Sequence, residues 1–239
     1  MLSLAHVAKS FGGLHVLQDV TFTAEAAAVT ALIGPNGAGK STLVNIVGGV
    51  LRPDGGTLTL DGVDVTGVRA ARAFGLGIAR TFQVSGNVSK LNVFESVAVA
   101  AYRHAGGYRH ANALARQELE RFDLWQYRHD RLGDIPTATM RLVDFARGMV
   151  SQPKVLLLDE VMAGLTPHEV DVVIAQVRSC RDQGVAIVMI EHVMQAIQAL
   201  ADHVVVLNQG HVIAEGSLDT VSQRPAVIEA YLGTPAEGA

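Results

Sequence analysis

The segment from residue 34 to residue 41 constrains the fold more than any other part of the sequence. It reads Gly-Pro-Asn-Gly-Ala-Gly-Lys-Ser and fits the pattern G-x-x-x-x-G-K-[ST]. The apolar run 29–33 precedes it, and apolar residues at helical spacing follow from Lys40 onwards. In this strand–loop–helix context the backbone N–H groups of the loop and the helix N-terminus face an anion. The segment therefore predicts a site for a nucleoside triphosphate.

Two side chains of the segment have specific expected roles. Lys40 is expected to reach the terminal phosphates, and the Ser41 hydroxyl is expected to bind Mg²⁺. A glycine-rich turn that matches the pattern by chance is the alternative, and the flanking strand and helix patterns argue against it. The expected nucleotide contacts in this segment are Gly34, Pro35, Asn36, Gly37, Ala38, Gly39, Lys40, Ser41 and Thr42.

Composition narrows the class of protein further. Only 5% of the 239 residues are aromatic, and the many Ala, Val, Leu and Ile residues are typical of buried parallel strands covered by helices. The net charge of -4 provides no overall positive field, so we expect no nucleic-acid partner. Cys180 is the only cysteine, which excludes an intramolecular disulfide and fits a reducing compartment.

Targeting signals are not recognisable in the sequence. The first ten residues lack an apolar run followed by a small-residue cleavage site, so we expect no secretory signal. Every apolar run is interrupted before it reaches the roughly 18 to 20 residues of a membrane helix. We therefore expect a cytoplasmic chain that does not span a membrane itself.

The hydrophobic pattern divides the chain into a core and an insert. Residues 1–83 and 151–239 are predicted to form the core, and residues 84–150 a helical subdomain. We predict an α/β fold with a mainly parallel sheet, an N-terminal antiparallel β layer and a helical insert. After a turn at Gly210 we expect only a short final helix. The other predicted strands are 155–158, 185–190 and 203–207, and the predicted helices are 93–102, 111–124, 140–150, 167–181 and 193–201.

Polar residues follow two of these predicted strands. Asp159 and Glu160 come directly after one strand, and His192 comes two residues after another, with Glu191 between. Because ligands bind at the carboxyl ends of strands in open α/β sheets, we expect these side chains at one edge. Asp159 suits Mg²⁺, Glu160 suits the orientation or deprotonation of an attacking water, and His192 suits contact with a γ-phosphate. The alternative for each residue considered alone is that Asp159 and Glu160 are solvated acids and that His192 is an ordinary surface histidine.

The order of these features resembles the ATPase subunits of ABC transporters over essentially the whole chain. The ordered features are Phe11, the phosphate loop, Gln83, Asp159 with Glu160, and His192. The resemblance implies a P-loop NTPase core that binds ATP and Mg²⁺ and hydrolyses ATP coupled to transmembrane transport. It implies that Phe11 stacks on adenine and that Gln83 senses Mg²⁺ and couples to the membrane partner. It also implies that Glu160 is the catalytic base and His192 a γ-phosphate switch.

Four shorter segments look most like the ATPases of branched-chain amino-acid importers. They are residues 11–14, 163–167, 190–192 and 231–233. The narrower resemblance implies import of a small solute, a second ATPase subunit, transmembrane permease subunits and, indirectly, a periplasmic or extracellular solute-binding protein. It places the chain on the inner face of the cell membrane through the permease. Amides, urea and small carboxylates are equally compatible substrates.

One segment departs from the family pattern. The family has a signature of the Leu-Ser-Gly-Gly-Gln type, which donates a Ser hydroxyl and backbone N–H groups to the γ-phosphate bound on the opposite subunit. Pro136 removes one hydroxyl and one N–H group, whereas Thr137 or Thr139 can supply a hydroxyl. The residues aligned with the signature are Ile135, Pro136, Thr137, Ala138 and Thr139.

This degenerate signature favours a heterodimer. In a homodimer both sites would receive the weak signature, whereas a related ATPase with an ordinary signature would complete the site on this chain. The leading hypothesis is an ATPase that powers an importer, and the alternative is an ATP-binding regulatory subunit with low turnover, paired with a hydrolysing partner. A soluble phosphotransferase or GTPase is disfavoured, because neither needs Gln83, Glu160 and His192 together.

Overall fold

Apolar runs of the sequence form the centre of one sheet. The computed structural model describes residues 1–81, 91–103 and 105–232. Within these residues the strands are β1 (Leu2–Phe11), β2 (Leu14–Ala24), β3 (Val29–Ile33), β4 (Gly55–Leu60), β5 (Val63–Asp64), β6 (Ile78–Arg80), β7 (Val155–Asp159), β8 (Ala186–Ile190), β9 (His203–Asn208) and β10 (His211–Gly216). They lie in the order β5-β4-β1-β2-β10-β9-β3-β8-β7-β6.

The sheet has a parallel part and an antiparallel part. Strands β9, β3, β8, β7 and β6 pair in parallel, and β3 and β8 are buried along their whole length. Strands β1, β2, β4 and β5 pair antiparallel. This arrangement confirms the predicted mainly parallel sheet with an N-terminal antiparallel layer. Strand β10 joins the two parts, antiparallel to β9 and parallel to β2.

Helices cover the sheet. They are α1 (Lys40–Val47), α2 (Ala70–Gly75), α3 (Val93–Tyr102), α4 (Tyr108–Arg121), α5 (Thr137–Met149), α6 (Pro167–Arg181), α7 (Met194–Leu200), α8 (Leu218–Ser222) and α9 (Pro225–Leu232), with a 3-10 turn at Trp125–Tyr127. Helices α3 and α6 have the predicted bounds. Both begin with a capping box, Asn92 with Glu95 and Thr166 with Glu169. No helix in the described part of the chain is long and apolar enough to cross a membrane.

Several predicted bounds were wrong. Helix α4 ends three residues early, because Asp123 adopts the left-handed conformation with φ 55° and stops the helical repeat. Helix α5 begins three residues early, at Thr137, because the Pro136 carbonyl already accepts the Met140 N–H. Residues 211–216 form β10, where only a turn and a helix were expected, because the backbone of this short segment pairs with β9.

The predicted helical subdomain shares its apolar core with one face of the sheet. Val97 of α3, Leu119 of α4 and Phe145 of α5 belong to the same buried cluster as Leu156 and neighbouring strand residues. A second cluster lies on the other face, between α1 and the antiparallel layer. The bounds of the helical subdomain, residues 84 and 150, remain a prediction from the sequence pattern.

Asp144 of α5 provides a pH-dependent contribution to stability. Its side chain is 4% exposed, and its Oδ1 lies 3.0 Å from Arg147 Nη1. Burial raises the pKa of this carboxyl from 3.8 to about 6, although Arg147 and Arg141 lower it. Because the folded chain holds this proton more tightly than the unfolded chain, the contribution of Asp144 to folding weakens as the pH rises from 5 to 7.5.

Asp144→Asn is therefore expected to become more favourable, relative to wild type, as the pH rises. The expected change in the free-energy difference between pH 5 and pH 7.5 is about 1 kcal/mol. Denaturant unfolding of both chains at the two pH values measures it. Glu120→Gln changes an exposed acid and serves as control. A difference that is independent of pH would contradict the prediction.

Candidate functional site

The phosphate loop joins β3 to α1 through glycines that no other residue can replace. Gly34 has φ 149°, and a Cβ atom there would lie 2.0 Å from the backbone oxygen of Leu207. Gly39 has φ 105°, and its Cβ would lie 2.6 Å from a methyl carbon of Leu17. Both the backbone conformation and the close approach require glycine. The loop is therefore held directly against β9 and β2.

Lys40 begins α1 and lies folded into the loop. Its side chain is 7% exposed, and Nζ donates to the carbonyl oxygens of Gly34 at 2.7 Å and Pro35 at 2.9 Å. Burial lowers the pKa of Lys40, whereas the charge of Glu160 raises it. Among the described residues no side chain caps α1, whose N-cap is Gly39. The first N–H groups of α1 are thus left for a ligand.

Glu160 and His192 meet at the neighbouring strand ends. Asp159 of β7 is in register with Ile190 of β8, so the residues that follow these strands lie side by side. His192 Nε2 lies 3.1 Å from Glu160 Oε1. Together with the phosphate loop they line a cavity of about 200 Å³. Its lining residues are Val16, Asn36, Gly37, Ala38, Gly39, Lys40, Ser41, Thr42, Glu160 and His192.

Asp159 lies beside this cavity and is paired with an arginine that was not predicted from the sequence. Its Oδ2 accepts a hydrogen bond of 2.8 Å from Arg80 Nη2, and Arg80 Nη1 donates to Asn45 Oδ1 at 2.5 Å. Arg80 is the last residue of β6, which pairs with β7. Arg80 could have been predicted as a site residue from its position at the end of a strand, because the same position identified Asp159. Arg80 thus fixes the carboxylate expected to bind Mg²⁺.

Other predicted residues lie outside the lining of the cavity. Phe11 ends β1 at the turn into β2, is 44% exposed, and has Lys9 Nζ 5.3 Å from its ring centroid. Val16 of β2 does line the cavity and was not predicted. Gln83 lies outside the described residues.

Residues 135–139, which were predicted to align with the family signature, lead into the first turn of α5. Pro136 occupies the N-cap position with φ -58° and ψ 152°, and Thr137 is the first helical residue. Pro136 and Thr137 are exposed to solvent, and Ile135, Ala138 and Thr139 are partly exposed. None of the five is among the lining residues of the cavity. The segment is therefore accessible to another chain.

The residues present fit a nucleoside triphosphate with Mg²⁺. Gly34 and Gly39 allow the loop to lie against β9 and β2 in a conformation that leaves its N–H groups available, and Lys40 supplies a cation within the loop. Ser41 lines the cavity, and Asp159 ends the neighbouring strand β7, so a hydroxyl and a carboxylate supply the kind of oxygen ligand that Mg²⁺ prefers.

Comparison with known proteins agrees with this chemistry. The family described as "ABC transporter" matches residues 17–163, and the family described as "Branched-chain amino acid ATP-binding cassette transporter" matches residues 211–237. The high-affinity branched-chain amino acid transport ATP-binding protein BraF of Pseudomonas aeruginosa is 34% identical, with 98% of each chain covered. The corresponding protein LivG of Escherichia coli is 32% identical, again with 98% of each chain covered.

Solved structures share the fold. A nucleotide-free ATP-binding cassette from an ABC transporter superposes with a TM-score of 0.90 at 27% identity, covering 98% of this chain and 99% of that one. A second solved structure, an ATP-binding cassette of an ABC transporter in its ADP conformation, gives a TM-score of 0.88 at 27% identity, with 98% of each chain covered. The chain therefore belongs to the ABC transporter family, as an ATP-binding subunit that binds ATP with Mg²⁺ and hydrolyses it to power transport.

Proposed function

We propose that this chain powers the import of a small solute and pairs with a second, different ATPase subunit. The observation that carries the proposal is the contrast between a cavity lined by most of the phosphate loop with Glu160 and His192, and a predicted signature segment that contains Pro136. Branched-chain amino acids are the first candidate solutes, because the names of its relatives from Pseudomonas aeruginosa and Escherichia coli refer to them. The chain would lie on the inner face of the membrane, held there by permease subunits, with a solute-binding protein acting outside.

The predicted site residues have proposed roles in hydrolysis. Lys40 and the N–H groups of the loop would bind the phosphates, and Ser41 and Asp159 would hold Mg²⁺, which would neutralise phosphate charge. Glu160 would orient the attacking water and take its proton, and its 3.1 Å contact with His192 restricts the position of this carboxylate. Phe11 stacks on adenine from the β1–β2 turn, and Gln83 senses Mg²⁺.

The pairing with a different subunit follows from the start of α5. Pro136 has no N–H group and no hydroxyl, so the neighbour's γ-phosphate receives fewer donors than an ordinary signature supplies. Loss of one preorganised donor costs roughly 2.7 to 4 kcal/mol, by analogy with oxyanion holes. Thr137 and Thr139 offer hydroxyl groups in the first turn of α5. A partner with an ordinary signature would complete the ATP site on this chain. The ATP site on the partner would be completed only by residues 135–139 of this chain, and would therefore be impaired.

A groove beside the helical subdomain is the proposed contact for the permease. It has a volume of about 290 Å³, and apolar side chains such as Phe74 and Val99 form much of its wall. Arg80, Asp144 and Arg147 provide charged groups in the same groove. Arg80 lines this groove and also donates to Asp159. A permease segment bound in the groove could therefore contact Arg80, which in turn contacts the carboxylate proposed to hold Mg²⁺.

The second candidate function is regulatory. Pro136 and the absence of the signature glycines favour it as well, since this segment gives little transition-state stabilisation to the opposite γ-phosphate and suits a subunit that closes on ATP with low turnover. In that case the partner ATPase would perform the hydrolysis, and this chain would contribute binding energy for closure.

ATP turnover and nucleotide-driven dimerisation test the proposal. Both are measured for the purified chain alone and after mixing with its candidate partner ATPase. We expect binding without turnover for the chain alone and turnover with the partner. Robust turnover by the chain alone would show that residues 135–139 are a working signature, and the heterodimer proposal would fall.

A further inference from the structure

Glu191 is a buried carboxylate directly behind the catalytic pair. It follows β8 and precedes His192, and it is 2% exposed. A carboxylate in such a position is costly unless it accepts hydrogen bonds. No role in ATP binding or hydrolysis has been assigned to Glu191 above.

The contacts of Glu191 join the two turns that carry Glu160 and His192. Its Oε1 accepts a hydrogen bond of 2.9 Å from the backbone N–H of Met162, two residues after Glu160. The backbone N–H groups of His192 and Val193 lower the pKa of the carboxyl, although burial raises it more strongly. Because Glu191 itself begins the segment after β8, its bond to Met162 joins that segment to the turn after β7.

The turn at Glu160 is strained. Glu160 has φ 49°, in the left-handed region that residues with a side chain rarely adopt. Such strain persists only where surrounding contacts over-determine the conformation, and it concentrates at functional sites. Two hydrogen bonds from the end of β8 hold this turn: Glu160 N–H donates to the Ile190 carbonyl at 2.9 Å, and Met162 N–H donates to Glu191.

We infer that Glu191 is a positioning residue that holds Glu160 in its strained conformation and so keeps Glu160 and His192 within 3.1 Å of each other. It acts through these two residues and is not among the residues that line the phosphate cavity within the described chain. Loss of the Met162 bond would release the turn and move the Glu160 carboxylate. The inference rests on the ATP hydrolysis proposed for this site and is independent of the transported solute and of the heterodimer.

Glu191→Ala, Glu191→Asp and Glu191→Gln separate this role from bulk stability. We expect Glu191→Ala in the assembled transporter to lower kcat about 10- to 100-fold, with KM for ATP within about 2-fold of wild type, because a small displacement of a reacting group is costly. Glu191→Gln keeps an acceptor for the Met162 N–H and is expected to stay within about 3-fold of wild-type kcat. Glu118→Ala removes another largely buried carboxyl, on α4, and is the matched control with unchanged kcat.

Amide hydrogen exchange of the purified full chain provides a readout that does not need hydrolysis. In Glu191→Ala, peptides that span residues 160–163 and 190–194 are expected to exchange faster, while the phosphate loop and the antiparallel layer exchange as in wild type. If Glu191→Ala does not fold, Glu191→Asp carries the test, because its carboxyl is one methylene too short to reach Met162.

Two results would overturn the inference. One is an unchanged kcat in Glu191→Ala or Glu191→Asp, measured in a complex where wild type turns over. The other is faster exchange spread evenly over the chain, since that pattern indicates only lost stability. If the wild-type complex shows no turnover, the proposed function fails. Hydrogen exchange still tests the role of Glu191 in that case, because faster exchange confined to residues 160–163 and 190–194 supports it and faster exchange over the whole chain contradicts it.

Discussion

Glu160→Gln is expected to lower the ATP turnover of the assembled transporter by about 10²- to 10⁴-fold, the usual contribution of a general base. The amide has the shape of the carboxyl but cannot take a proton from the attacking water. Glu160 lies in the cavity with Lys40 and keeps its backbone contact to Ile190 in the variant. ATP binding is therefore retained. Steady-state turnover and equilibrium binding of ATP, measured on the same preparation, test both parts.

The same variant distinguishes the two proposed functions. If this chain's own site performs the hydrolysis, Glu160→Gln abolishes turnover even when the partner ATPase is wild type. Glu120→Gln, which neutralises an exposed acid in a surface pair with Arg116, is the control and should leave turnover unchanged. Turnover that persists in the Glu160→Gln complex would assign hydrolysis to the partner and support the regulatory alternative.

The cavity could be predicted because its main residues follow buried strands. Glu160 and His192 come one and two residues after β7 and β8, Lys40 comes after β3 at the far end of the phosphate loop, and parallel strands bring such ends to one edge. The pattern of apolar residues therefore determined which side chains meet. It carried no information on Val16, whose strand lies in the antiparallel layer and reaches the loop through the path of β2.

The specific hydrogen bonds between neighbouring strand ends could not be predicted from the sequence. The pair of Arg80 with Asp159 depends on β6 lying beside β7, and the bond from Met162 to Glu191 depends on β7 lying beside β8. Nothing in the spacing of these residues specifies that strand order. Helix bounds were predicted where a capping box marks the start, as at Thr166, and missed where a left-handed residue such as Asp123 ends the helix.

Gly34→Ala is expected to abolish measurable ATP binding, a loss of at least about 10²-fold, comparable to other displacements of about 1 Å at a reaction site. The new Cβ would lie 2.0 Å from the backbone oxygen of Leu207, and neither backbone can yield without separating the loop from β9. Gly34 also accepts the 2.7 Å bond from Lys40 Nζ, so a displaced Gly34 carbonyl would disturb the position of the lysine. The same overlap is expected to destabilise the fold by about 1 to 3 kcal/mol.

A second glycine separates the effect of the overlap from that of backbone strain. Gly184 has φ 90°, but a Cβ atom there would meet no atom of the described chain within 4 Å, so Gly184→Ala adds only the strain of about 1 to 2 kcal/mol. Titration with a fluorescent ATP analogue and denaturant unfolding of both variants make the comparison. Both variants lose stability, but only Gly34→Ala loses the nucleotide, because only there does the new methyl group push the phosphate loop away from β9. Wild-type affinity in Gly34→Ala would mean that the loop does not have to rest against Leu207 to bind ATP.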